Sequence, residues 1–275
     1  MERWLVTDRR TIELGSIDTL KVALISGRVD IVAHDEPGAL VEINEVSGRE
    51  LLVSIEGGTL TVDHPQLRWD NFWEAVTKAT GRARADVSIR VPRGIDLKLS
   101  VVSATALVSG TRGPAAVNTV SGDVVLDAME ANLTVNSVSG EVAIRDHRGN
   151  VSVKTVSGDA TAAGQIPVLS LNTVSGDVFA DVSGRSEGVD VNTVSGDVLI
   201  RLPEGRAARY RVTSGRGVIR LDDNDFTGSR GQMSAKYGEL AGEWTEVQIN
   251  TASGKVSVVH ATADSTAGAT TGDPE

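Results

Sequence analysis

Five carboxylates recur at one position of one repeated phrase. The chain reads VNTVSGDV at 117–124, VNSVSGEV at 135–142, VKTVSGDA at 153–160, LNTVSGDV at 171–178 and VNTVSGDV at 191–198. The acidic residues are Asp123, Glu141, Asp159, Asp177 and Asp197, each preceded by Ser-Gly: Ser121-Gly122, Ser139-Gly140, Ser157-Gly158, Ser175-Gly176 and Ser195-Gly196. A regular row of carboxylates can hold cations along one edge of a protein. The competing chemistry is that of a turn, in which a carboxylate following Gly accepts local backbone N–H bonds. Twelve-residue calcium-loop spacing and the nine-residue Gly/Asp calcium repeat are both absent, which favours the turn. His34, His64, His147 and His260 show no HxxxH or HxH spacing, and there is no Cys, which removes disulfides, thiolate metal sites and Cys nucleophiles. GxSxG, a P-loop and a GxGxxG after a strand are missing as well. The residues therefore assign no catalytic, cofactor-binding or metal site, and the Ser-Gly-acid triplets are read as structural turns.

The spacing of those triplets identifies the elements that carry them. The serines are 18, 18, 18 and 20 residues apart, a period that denotes one small unit stacked on copies of itself. Six and four residues before each Ser stand apolar pairs such as Ala115/Val117 and Leu133/Val135. Three and five residues after it stand Val124/Leu126, Val142/Ile144 and their equivalents. Each pair has the period of two that marks the inward face of a strand. The unit is thus two short strands joined at a Ser-Gly corner, where Gly is free to take a positive φ, with the valines of the phrase as core. The fold class is all-β, a stacked β-strand repeat resembling a β-solenoid of about 18 residues per turn. An antiparallel meander also satisfies the pattern. Columns of Asn118, Asn136, Asn172 and Asn192 favour the solenoid, while stacking of like charges in the acidic column counts against it.

Outside the regular stretch the pattern loosens. Residues 1–65 read as strands with turn signals, a degenerate N-terminal β portion. Residues 66–85, QLRWDNFWEAVTKATGRARA, interrupt it. Trp69, Phe72 and Trp73 have helical spacing with Leu67 and Val76 and are flanked by Arg68, Lys78, Arg82 and Arg84, so a short helix is expected near 67–80. Three of the chain's nine aromatic residues fall there, which singles the segment out as a surface for a protein partner, for self-association or for peripheral membrane contact. Residues 86–260 form the regular portion. It opens with a first copy at Ser103, 18 residues before Ser121 and with Ala104-Thr105 in place of Gly-Asp, and holds a seventh copy centred on Ser214-Gly215, an irregular insertion at 222–245 and a final copy at Ser253-Gly254. From 261 to 275 the composition is that of a disordered tail.

Net charge is −10, which disfavours a nucleic-acid partner. The start, MERWLVTDRRTIEL, lacks the apolar run and cleavage site of a secretory signal, and no apolar stretch is long enough to span a membrane. The expected location is cytoplasmic, with membrane-peripheral contact through 66–85.

The repeated V-[NSK]-[TS]-V-S-G-[DE]-V phrase resembles the bacterial "putative adhesin" β-strand-repeat family, also called toastrack domains. The resemblance runs over about 20–260 and is strongest over 95–220, while VPRGIDLKLSVVSA at 91–104 looks like its actinobacterial members. It implies a stacked all-β fold and an association with bacterial envelope-stress systems, and it brings no catalytic residues. The function expected is a non-enzymatic scaffold or interaction protein without a cofactor. Two alternatives are a cell-surface adhesin exported without a standard signal and a carbohydrate-active β-helix enzyme. The enzyme is opposed by the scarcity of aromatic residues for stacking sugars, Phe179 being the lone one between Val117 and Tyr210.

Overall fold

The computed structural model describes residues 2–65, 83–222, 224–227, 231–240 and 242–261. The helix expected near 67–80 and the tail from 262 onward lie outside these residues.

Every described element of the regular portion is a strand, and equivalent strands pair in parallel. Ala115–Thr119, Leu133–Ser137 and Val151–Thr155 lie side by side on one face. Val124–Asp127, Val142–Arg148 and Ala160–Gln165 lie side by side on the other. Thr134, for example, sits beside Ala116 on one side and Ser152 on the other, one period away in each direction. This is a two-faced β-solenoid; the antiparallel alternative would have placed equivalent positions two strands apart. Strands Thr19–His34 and Asp96–Ser109 bend around the corner without a break and belong to both faces.

The apolar pairs point inward, as their period requires. Val117, Val135, Val153, Leu171 and Val191 meet Leu126, Ile144, Ala162, Ala180 and Ile200 in one continuous buried cluster. The small side chains suit a thin interior between two faces. Among the described residues Tyr210 is the largest fully buried side chain.

The ends depart from chain order. The final copy, Thr245–Ser253 and Val256–His260, does not stack outside its predecessor. It is inserted between Gly188–Ser195/Val198–Leu202 and Ala208–Arg216/Val218–Leu221, pairing in parallel with both. The N-terminal end uses the same device, because Thr19–His34 lies between Asp96–Ser109 and the rung formed by Thr59–Asp63 and Arg84–Pro92. Both ends close with antiparallel strands. Asn224–Thr227 and Gly231–Tyr237 cover one. Gly38–Ser47 and Leu51–Glu56, followed by Arg10–Ser16 and Glu2–Val6, cover the other. Within 222–245, where an irregular insertion was expected, the described residues thus include the two strands of this cap.

The seventh copy also has a different register. Ser214 pairs with Thr251 and Arg216 with Ser253, so the corner glycine is Gly217, two residues later than the Ser-Gly dipeptide suggests. Strands likewise resume at Arg84 after the interrupting segment, ahead of the Asp86 expected from sequence.

Candidate functional site

The Ser-Gly-acid triplets form three columns along one corner of the solenoid. The serine hydroxyls reach back one rung: Ser121 Oγ donates to the Val102 carbonyl at 3.2 Å, Ser139 to Val120 at 3.1 Å and Ser157 to Val138 at 3.2 Å. Ser175 and Ser195 repeat the contact at 3.5 Å. The glycines stack too closely for any side chain. A Cβ at Gly122, Gly140, Gly158, Gly176 or Gly196 would stand 1.9–2.6 Å from a carbonyl oxygen of the rung before. Gly158, Gly176 and Gly196 also have positive φ, but Gly122 and Gly140 do not. Close approach is thus the common reason for glycine, and backbone freedom is secondary.

Four of the five carboxylates, all but Glu141, bond between rungs, whereas local turn bonds were expected. Asp123 Oδ1 accepts the Glu141 N–H at 3.0 Å. Asp159, Asp177 and Asp197 accept those of Asp177, Asp197 and Lys255, each at 2.8 Å. Among the described residues no group of three or more His, Asp or Glu is placed to hold a metal ion.

Between the asparagine column and the serine column runs a feature that the phrase conceals. The valine immediately before each Ser is not core. Val156, Val174 and Val194 are about half exposed, at 50%, 48% and 52%, and together they form a ridge along the corner. The ridge continues toward Val138, Val120 and Val102. The last two pack on the small cluster of Ala23, Ile25 and Ala83. Beside the ridge the amides form ladders: Asn136 Nδ2 donates to Asn118 Oδ1 at 3.0 Å, Asn192 to Asn172 at 3.1 Å and Asn250 to Asn192 at 2.8 Å. Lys154 separates the two runs. A groove of about 550 Å³ lies between amides and ridge, lined by Asn172, Asn192, Val174 and Val194. Alternation alone can reveal the ridge, since these valines fall on the outward parity of their strand.

His64, His260 and Asp222 bond within the fold. His64 is buried and its Nδ1 accepts the Ile25 N–H at 3.2 Å. Burial, with the charge of Arg49 second, holds its pKa down at about 4. Next to it, burial pushes the Asp63 carboxyl up to about 6 against the opposing pull of Arg3. At the other end Tyr210 Oη donates to Asp222 Oδ2 at 2.6 Å, and His260 Nδ1 lies 2.8 Å from Asp222 Oδ1. His260 Nε2 donates to the Arg206 carbonyl at 2.8 Å, and Tyr237 stacks on the imidazole at 3.7 Å. Burial first, and the bond to Asp222 second, push the Tyr210 phenol upward. Asp222 thus ties neighbouring rungs through a side chain that is only 11% exposed. Asp225 pairs with Arg220 at 2.7 Å. Trp69, Phe72 and Trp73 lie outside the described residues.

A family model described as Toastrack DUF4097 matches residues 17–259. No curated protein matches the chain. Solved structures do. One is from Parabacteroides distasonis, described as a "putative lipid binding protein", 18% identical over 92% of this chain and 97% of that one, with a TM-score of 0.55. A second is from Bacteroides fragilis, described as a "putative adhesin", 11% identical over 92% and 98%, TM-score 0.38. A third is from Clostridium sporogenes, described as a "putative cell adhesion protein", 12% identical over 92% and 100%, TM-score 0.29. The likeness to the first is one of fold.

Proposed function

The chain belongs to the Toastrack DUF4097 family, and on that premise we propose that it is a non-enzymatic interaction scaffold working at the inner face of the bacterial envelope. The observation that supports this reading is the valine ridge. Folding buries apolar side chains wherever it can, yet Val156, Val174 and Val194 stand half exposed in a row on successive rungs. Scattered exposed valines need no explanation, but a contiguous row beside a groove marks a place for a partner. The amides around it bond to one another and the serine hydroxyls to valine carbonyls of the preceding rung, so they hold the surface rigid. Rigidity lowers the entropy lost on binding.

The test is a photo-crosslinking residue placed in living cells at Val174 or Val194, with Thr134 on the same outer face as control. The scaffold reading expects discrete crosslinked species from the ridge positions and none from Thr134. Equal labelling at all three, or none at any, removes it. The finer reading assigns the envelope contact to Trp69, Phe72 and Trp73. Fractionation of cells carrying Trp69→Ala/Trp73→Ala decides that point: the wild-type chain sediments with membranes and the variant does not. A chain that never sediments with membranes rejects the envelope location.

A further inference from the structure

We propose that the outer face on the far side of the same corner docks a cationic amphipathic helix laid along the axis of the stack. The inference rests on the scaffold reading and names the chemistry of a partner. Pairing sets Leu107 beside Val125, then Ala143, Thr161, Phe179 and Leu199, in one lateral row that points away from the core. This row carries apolar or methyl-bearing side chains on six successive rungs; Ala143 is buried between its larger neighbours, Leu107, Val125, Thr161 and Phe179 are partly exposed, and the row is most open at Leu199. Leu199 is 39% exposed, and Phe179 and Leu199 line a groove of about 450 Å³.

One wall of that groove is Glu141, Asp159, Asp177 and Asp197, and Lys255 on the following rung closes the row, so that four carboxylates stand against one ammonium. Each of the three aspartates uses Oδ1 for a backbone N–H of the next rung and leaves its second oxygen without a partner among the described residues. On the opposite flank Arg201 pairs with Asp181 and Arg145 lies beside Asp127, so each cation there has a carboxylate of its own flank as neighbour. The face therefore offers an apolar stripe with a negative border, and its complement is an apolar stripe with a positive border.

Spacing selects the element. Parallel rungs repeat at about 4.8 Å. Along a helix, residues i and i+3 or i+4 are separated by about 4.5–6 Å, so an i, i+3, i+4, i+7 apolar stripe meets successive rungs and its flanking Lys or Arg side chains meet successive carboxylates. An extended strand on the same path has a same-face repeat of about 6.7 Å and falls out of step after two rungs.

The probe is a labelled Leu/Lys peptide of about five helical turns with leucines at i, i+3, i+4 and i+7, titrated with the full chain at low and high salt. A peptide of the same composition in scrambled order is the control. The expected result is binding that weakens with salt, with affinity about tenfold lower for the scrambled peptide. A similar loss is expected for Phe179→Ser/Leu199→Ser and for Asp159→Asn/Asp177→Asn/Asp197→Asn. Asparagine keeps the Oδ1 acceptor, so the acidic-row variant preserves the inter-rung bonds, and thermal unfolding checks that it does. Absence of binding, equal binding of the two peptides, or indifference to both sets of substitutions overturns the proposal. So does sedimentation showing that the free chain dimerises and that these substitutions abolish the dimer, which assigns the face to a second copy. Failure of any of these kinds leaves crosslinking at the valine ridge intact, so the two readings fall separately.

Discussion

A carboxylate column in a parallel stack places like charges about 4.8 Å apart. In water that repulsion is roughly 0.9 kcal/mol for each neighbouring pair, while a hydrogen bond to a charged group contributes about 1.5–3 kcal/mol. The inter-rung bonds of Asp123, Asp159, Asp177 and Asp197 therefore outweigh the repulsion, and the column is compatible with stacking. Glycine is the stricter requirement. Gly140→Ala and Gly176→Ala are expected to cost about 3 kcal/mol or more, because a backbone carbonyl cannot move aside as a side chain can. Gly94, where an added Cβ meets nothing within 4 Å, tolerates alanine within about 0.5 kcal/mol. Urea unfolding of the three variants checks this, and equal stabilities contradict it. Asp63 and His64 give a pH signature of opposite signs. The folded carboxyl of Asp63 titrates near 6 instead of 3.8, so its burial destabilises the fold progressively as pH rises from about 4 to 6. The folded imidazole of His64 titrates near 4 instead of 6.5, so its burial destabilises the fold as pH falls through that window. Asp63→Asn should gain on wild type as pH rises from 4 to 6. His64→Asn should gain as pH falls from 6.5 to 4. Unfolding midpoints across pH 4–7 read both, and parallel curves for wild type and variants refute the assignment.

At the scale of the strand, one position per rung decides how well neighbours are tied. The amide ladder runs from Asn118 to Asn136 and again from Asn172 through Asn192 to Asn250. Lys154 occupies the intervening place. Lys154→Asn joins the two runs and adds side-chain amide bonds worth about 1 kcal/mol in total, visible as a higher denaturant midpoint at an unchanged slope; a lower midpoint contradicts the ladder as a stabilising element. The sequence shows these columns plainly, because stacking preserves position. It shows the end strands poorly. Asn224–Thr227 and Gly231–Tyr237 carry no repeat phrase, since an antiparallel cap pairs on one side only and is free of the spacing that parallel stacking imposes. They cover the outer edges of Ala208–Arg216 and Val218–Leu221.

For the molecule as a whole, the consequence lies in the order of the rungs. In a solenoid wound in chain order, removing the last copy leaves the rest stacked. Here the last copy separates 188–202 from 208–221. A chain lacking 245–275 is expected to lose amide-exchange protection over 208–221, although those residues remain; continued protection shows that the two rungs restack and that the insertion is dispensable. By itself the sequence determined the all-β class, the period, the inward pairs and the corner, because every stacked unit meets the same neighbours and so needs the same residue types. Tertiary structure alone decided parallel pairing over the meander, the two-residue shift that makes Gly217 the corner, the contact between Asp222 and His260, and the intercalated ends. Those depend on which rung lies next to which, and a rung binds whatever matching face is adjacent in space, whatever its distance along the chain.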